Sequence, residues 1–341
     1  MKSLSPLYKT IIVCSLTLVF ALSFVAFARY RPDHNTIVLH GASQFDDSHS
    51  YTRALVRFSE LVASYYTGPE KLEFVLHKNS ELGTEKEYFS YMNIGAVVDF
   101  AITSPSHGST FSRMITIMDV PFLFQDTEHY LAAMESDVFA DLEQQLYDRA
   151  DVRILGYGGG EKRHIFGRRP VRNLEELQGF DMRVMGSPIQ SRMFSALGAY
   201  PTVISGDEVY NAIQTGVISG AENSATALDY FKWYEVAQDV SLTAVSIIVR
   251  PLLFSGKRFR ALPAGLQDAI LKAGREAMQF ERELEIAIDD PLMQQLAADG
   301  KVRLHEFANR DTLLKLAAPV KAAYAREVGA SAILDAINAL K

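Results

Sequence analysis

The spacing of apolar residues divides the chain into short β-branched runs and longer helical stretches. Residues 36–40 (Thr-Ile-Val-Leu-His) form a first strand closed by Gly41. From 48 to 66, Leu55, Phe58, Leu61, Val62 and Tyr65 recur at three and four residues, the period of an amphipathic helix, and Gly68-Pro69 stops it. A strand at 72–77, a helix at 85–95 and a buried strand at 97–103 follow. Further on, a strand at 152–156 runs into Gly158-Gly159-Gly160, which is expected to break regular structure. Next come a strand at 180–184, helices at 188–197 and 207–215, and a strand at 217–221. The apolar, β-branched stretch 236–255 is long enough for a strand that crosses between two domains. After Leu262-Pro263 the pattern turns helical over 266–298 and 311–340, with Pro291 and Pro319 expected to kink or interrupt. Strands alternating with helices predict an α/β fold with parallel strands. The chain shows no internal repeat and no low-complexity segment.

The first 28 residues change the compartment. Lys2 and Lys9 precede an apolar stretch from Ile11 to Phe27, which ends in Ala26-Phe27-Ala28, the small-x-small pattern of a cleaved signal. A membrane anchor is the competing reading, and the small residues favour cleavage after Ala28. A lipoprotein is disfavoured because Cys14 follows Val13 rather than a small residue. Cys14 is the single cysteine, so cleavage leaves no thiol for a disulfide, a metal or a nucleophile. The remaining 29–341 can hold two domains with full cores. Losing two lysines takes the net charge from −7 to −9. That balance argues against nucleic acid and anionic lipid, which call for basic patches. A locally positive cleft for a small anion remains compatible with it.

Catalytic signatures are missing. The chain has no H-E-x-x-H, G-x-S-x-G or G-x-x-x-x-G-K-[ST]. Gly156-Tyr-Gly-Gly-Gly160 resembles a dinucleotide fingerprint, but Glu161 stands where the third glycine must let the helix close on the strand. No two of the eight histidines have the i, i+4 spacing of a helical metal pair. His49, at the first helix start, reads as a capping or surface residue, and Glu281 and Glu283 as a solvated helical face. No cofactor or metal is expected.

Three segments interrupt structural patterns with polar residues: 158–166, 180–188 and 217–223. Arg183 sits in a short strand that runs directly into a helix start at Ser187-Pro188. Open α/β sheets place ligands at such junctions, and a guanidinium there can grip a carboxylate through two parallel hydrogen bonds. A structural salt bridge is the equally weighted alternative.

These segments resemble the substrate-binding proteins of tripartite ATP-independent periplasmic transporters, the group named for four-carbon dicarboxylate uptake. The likeness runs through Asn79-Ser-Glu-Leu-Gly83, Arg163, Leu174-Glu-Glu-Leu-Gln-Gly-Phe-Asp-Met-Arg183, Ala196-Leu-Gly-Ala199, Glu208-Val-Tyr-Asn-Ala-Ile-Gln-Thr-Gly216, Gly220-Ala-Glu-Asn223 and Leu262-Pro-Ala-Gly-Leu-Gln267. It implies a two-lobed periplasmic binding fold, joined by crossing strands and a long helix, that closes on its ligand. One lobe would hold 29–160 and 249–288, the other 161–248 and 289–341. It implies a periplasmic monomer that binds a small carboxylate and delivers it to integral membrane permease subunits. By the same resemblance Arg183 is the carboxylate anchor, Arg163 a second basic contact with Lys162 as its alternative, and Asn223 a polar contact.

Departures from the family bear on the ligand. Gly206 stands where the family often has an aromatic ring, which would enlarge the pocket. The family often has an acidic or other polar side chain near Ser104. Arg250 appears where histidine and tyrosine are common, and reads either as a third basic contact or as a hinge salt bridge. Hydroxylated acids, sugar acids among them, thereby become candidates beside four-carbon diacids. Two further classes stay open: a sensor presenting the same ligand to a membrane receptor, and a periplasmic enzyme, against which the absent catalytic pairs count.

Overall fold

The computed structural model describes residues 35–340. The expected signal at 1–28 and Cys14 lie outside the described residues. Within them the chain forms two compact units. The small one includes residues 35–38 and 69–73, where the Asn35 amide side chain donates to the Pro69 carbonyl at 2.8 Å. The main one holds 39–68 and everything from 74 onward.

Nine strands make one mixed sheet: β1 (Thr36–Ala42), β2 (Lys71–His77), β3 (Phe100–Ile102), β4 (Val152–Gly167), β5 (Asp181–Val184), β6 (Tyr200–Val203), β7 (Gly220–Asn223), β8 (Asp239–Ser255) and β9 (Arg303–Glu306). Their order is β2-β1-β3-β8-β4-β7-β5-β6, with β9 on β8. The helices are α1 (Ser50–Tyr65), α2 (Glu85–Ile94), α3 (Thr127–Met134), α4 (Ala140–Ala150), α5 (Leu174–Leu177), α6 (Pro188–Ala196), α7 (Val209–Gln214), α8 (Ala225–Tyr230), α9 (Gly256–Arg260), α10 (Ala264–Ala298), α11 (Arg310–Val328) and α12 (Ser331–Ala339).

The two long strands organise the fold. β4 and β8 pair antiparallel along nearly their whole length, from Val152↔Ser255 to Gly167↔Asp239. At one end β3 joins β8 opposite Leu252–Phe254. At the other end β7 joins β4 opposite His164–Gly167, and β9 joins β8 opposite Asp239–Leu242. The result is the expected two-lobed α/β arrangement with crossing strands. The expectation of parallel strands holds only in part, because strands that cross and return along each other must pair antiparallel. The pairs β1–β3, β5–β6, β5–β7 and β8–β9 run parallel.

The glycine run does not end β4, as its sequence suggested. Gly159 and Gly160 take φ of +99° and +117°, and the β4–β8 register slips between Gly159 and Lys162. Glycine permits that backbone at no Cβ penalty. The slip frees backbone N–H groups, and carboxylates from α10 cap them. Glu281 accepts from Gly159 N at 2.6 Å and Asp289 from Lys162 N at 2.7 Å. A Cβ on Gly158 would lie 2.1 Å from Glu281 Oε2, so the strand must be bare there for the helix to dock. The reading of Glu281 as solvated is therefore wrong: it is fully buried, while Glu283 stays exposed.

Helix boundaries also differ from expectation. α10 continues through Pro291, held on either side by buried Asp289 and Met293. α11 continues through Pro319 and stops at Gly329, whose φ of +77° splits the single helix expected over 311–340.

Candidate functional site

Of the polar residues singled out from sequence, Ser104, Arg163 and Arg250 line one cleft, whereas Arg183, Gly206 and Asn223 are not among its lining residues. The cleft takes Ser104, Asp119, Arg163, Met185, Ser246 and Arg250 into its walls.

Arg163 is buried and ion-paired to buried Glu222. Its Nη2 donates to Glu222 Oε1 at 2.7 Å and to the Glu222 carbonyl at 2.9 Å, and its Nε meets Oε2. The β4–β7 pairing brings them together by placing Glu222 opposite Ile165, two residues along β4 from Arg163. Lys162, the alternative, pairs with Asp290 at 2.8 Å and lines a different cavity with Arg310.

Arg250 serves both readings left open for it, since it lines the cleft and is salt-bridged. Its Nη1 reaches Glu85 Oε2 at 3.2 Å and its Nε donates to the Tyr51 hydroxyl at 3.1 Å. Burial works against its charge, but Tyr51 and Glu85 outweigh that and raise its pKa. Glu85 opens α2, where the helix N-terminus favours an anion, and accepts from Ser104 N at 2.7 Å. Burial would raise its pKa; Arg250 and His107 overcome this and hold it at about 2.

Arg183 is different. It is 6% exposed, and its Nε donates to the Ile204 carbonyl at 2.8 Å. Among the described residues no carboxylate lies within ion-pair distance of it. Burial, and next the repulsion of Arg163, push its pKa down to about 10, so it stays cationic at neutral pH. Met185, two positions on and therefore on the same face, lines the cleft. A Cβ added to Gly206 would meet Arg183 Nη2 at 3.9 Å and nothing nearer, so Gly206 leaves space beside the guanidinium. Asn223 stands opposite His164 in the ladder and accepts from Ser224 N at 3.0 Å. It is not among the residues that line the cleft.

Sequence reasoning missed Asp119, Ser246, Glu85 and Tyr51. Asp119 lines the cleft, and burial pushes its pKa up to about 6 against Arg250, His107 and Arg163. One signal for it existed: it is the sole charge in the apolar run Met114-Ile-Thr-Ile-Met-Asp-Val-Pro-Phe-Leu-Phe124.

Comparison with known proteins gives one consistent result. Residues 41–326 match the DctP model, described as bacterial extracellular solute-binding protein, family 7. A solute-binding protein of Sulfitobacter sp. strain NAS-14.1 is 46% identical over 302 residues, covering 89% of this chain and 91% of its own. The crystal structure of a TRAP periplasmic solute-binding protein from Sulfitobacter sp. NAS-14.1, with bound α-D-taluronate, superposes with a TM-score of 0.85 at 46% identity, covering 89% of this chain and 97% of that one. Another from Citrobacter koseri, with bound D-glucuronate, gives 0.81 at 26% identity, covering 89% and 100%. Among the described residues no helix is long and apolar enough to cross a membrane.

Proposed function

The chain belongs to family 7 of the bacterial extracellular solute-binding proteins, and from that premise we propose that it captures a hydroxylated monocarboxylate of the sugar-acid class. Capture occurs in the periplasm, reached through the signal at 1–28, and the ligand passes to integral membrane permease subunits. The protein acts as a monomer that returns its ligand unchanged, without a cofactor.

The observation that carries this reading is Arg183. A buried guanidinium in no protein ion pair, with Glu222 and Asp207 acting on it only from farther off, is costly, and a ligand carboxylate in the neighbouring cleft would supply the close partner through two parallel hydrogen bonds. Arg163 and Arg250 add positive field although each has an acid partner, and Ser104 and Asn223 offer polar contacts. Gly206 leaves room beside the anchor. The lobes, 29–160 with 249–288 and 161–248 with 289–341, close over the ligand about the crossing strands. Sugar acids are favoured over four-carbon diacids because the two structural relatives above hold a taluronate and a glucuronate.

A thermal-shift screen tests it with D-glucuronate, D-galacturonate, D-gluconate, succinate, L-malate, amino acids and D-glucose. Ligand at 100 times its Kd adds about 2.7 kcal/mol to stability, enough to raise the melting point measurably. Acids alone should stabilise, the sugar acids most. D-Glucose stabilising best would overturn the anchor.

A further inference from the structure

The cleft wall carries two buried polar atoms that no protein group satisfies, Asp119 Oδ2 and Ser246 Oγ. Ser187 Oγ, also without a partner at hydrogen-bond distance and angle, lies close enough to Asp119 to lower its pKa. Buried polar atoms in folded proteins are nearly always paired. Orphans facing a cleft point to groups that the cleft receives.

Charge accounting narrows what those groups are. Arg163 is balanced by Glu222 and Arg250 by Glu85. Beside the cleft this leaves one cation without an ion pair, Arg183, which feels only the more distant Glu222 and Asp207, and one acid without an ion-pair partner, Asp119. A ligand with one carboxylate can satisfy Arg183. A second carboxylate would find the remaining cations already neutralised and would meet the Asp119 carboxyl in a confined, weakly screened space. Hydroxyl groups carry no such penalty: they donate to a carboxylate, and they can donate to or accept from a serine.

Resting on the function proposed above, we infer that Asp119, with Ser246, reads the hydroxyls of the ligand and makes the site select polyhydroxy monocarboxylates over dicarboxylates. Although burial lifts the Asp119 pKa to about 6, the group remains mostly ionised at pH 7.5 and so keeps its acceptor strength. The role is one of specificity. It differs from a counter-ion role toward Arg250 or Arg163, which would show in stability and leave selectivity alone.

Calorimetry at pH 7.5 with D-glucuronate, D-gluconate and succinate, on wild type, Asp119→Asn, Ser246→Ala and Arg183→Ala, tests it. Losing a hydrogen bond to a charged group costs about 10- to 100-fold in affinity. Asp119→Asn should weaken both sugar acids by that factor and leave succinate equal or tighter, because the amide no longer repels it. Ser246→Ala should weaken the sugar acids about 3- to 10-fold and spare succinate. If Asp119→Asn fails to fold, the Ser246→Ala ratio decides. An unchanged sugar-acid to succinate ratio in the folded variants overturns the inference. If Arg183→Ala still abolishes binding in that case, the anchor reading survives alone. If Arg183→Ala binds normally, the reading on which the inference rests has failed.

Discussion

The arginine cleft and the carboxylate row on α10 are built on the same strand, with Glu161 and Arg163 two residues apart on β4, yet they handle charge in opposite ways. In the row, Glu281, Glu285 and Asp289 fall four residues apart on one face of α10 and meet Glu161. Like charges packed together in a sealed interior cannot all ionise, so the pKa values rise, to about 7 for Glu281 and about 6 for Asp289, with burial the leading cause. That region settles its excess charge by holding protons. An arginine cannot shed its proton near neutral pH, so two of the guanidiniums are paired with acids, and the third, Arg183, is left without an ion pair. A sealed cluster is neutralised from within; an open one is completed from outside.

The largest effect should come from breaking a completed pair. Arg163→Ala strands Glu222, 1% exposed, without its partner, at a cost of about 3–5 kcal/mol, read by denaturant unfolding without ligand. Arg183→Ala should behave inversely. It removes an uncompensated buried charge, so the ligand-free protein should lose far less stability than Arg163→Ala does. Its affinity for the sugar acid should fall by about 2–5 kcal/mol, roughly 30-fold to several thousand-fold. Arg183→Lys keeps the charge without the planar fork and should recover part of the loss. Equal stability losses in the two alanine variants would erase the distinction between paired and unpaired arginine.

The carboxylate row responds to pH next. The folded pKa of Glu281 lies above the unfolded value, so the native state holds its proton longer. Its contribution to stability is complete below about pH 4.5 and is lost as pH rises toward 7. Each pH unit of separation is worth about 1.4 kcal/mol. Glu281→Gln keeps a neutral hydrogen-bond acceptor for Gly159 and should flatten the fall in stability between pH 5 and 8, gaining on the order of 2 kcal/mol over wild type at pH 8. A wild-type stability that climbs across that range would mean the row is ionised as built.

Much of this was legible in the chain, and the failures share a cause. Period and β-branching located β1, β2, β5, β8, α1, α2 and α6 to within a few residues, because each buries one regular face. The strands β6 and β9 escaped notice: four residues each, with Tyr200 and Val203 of β6 exposed, they carry no period. The glycine run was read as a break because what sustains β4 there is a carboxylate 122 residues away. The same distance blindness hid which arginine was free. Arg183 was visible as a guanidinium at a strand-to-helix junction, but whether it had an acid partner depends on Glu222 and Glu85, which the fold brings to Arg163 and Arg250. Asp119 was visible as a charge in an apolar run and was passed over, since no motif named it.

The smallest expected effect bears on the space beside Arg183. Gly206 has an ordinary backbone conformation, and an added Cβ would touch Arg183 Nη2 at 3.9 Å, an unstrained contact. Gly206→Ala should therefore fold well and gain about 0.4–1 kcal/mol, because the unfolded chain loses freedom. The methyl group lies beside the anchor, so D-glucuronate affinity should fall by about threefold or less, within the cost of a slight repacking. Gly206→Phe sharpens the result, since a ring there fills the space left beside the guanidinium. It should reject D-glucuronate more strongly than a compact acid such as glycolate, with the stability of the ligand-free protein little changed. Calorimetry with both acids on both variants separates the cases. Equal losses for the large and the small acid would mean that the ring disturbs Arg183 itself rather than the room beside it.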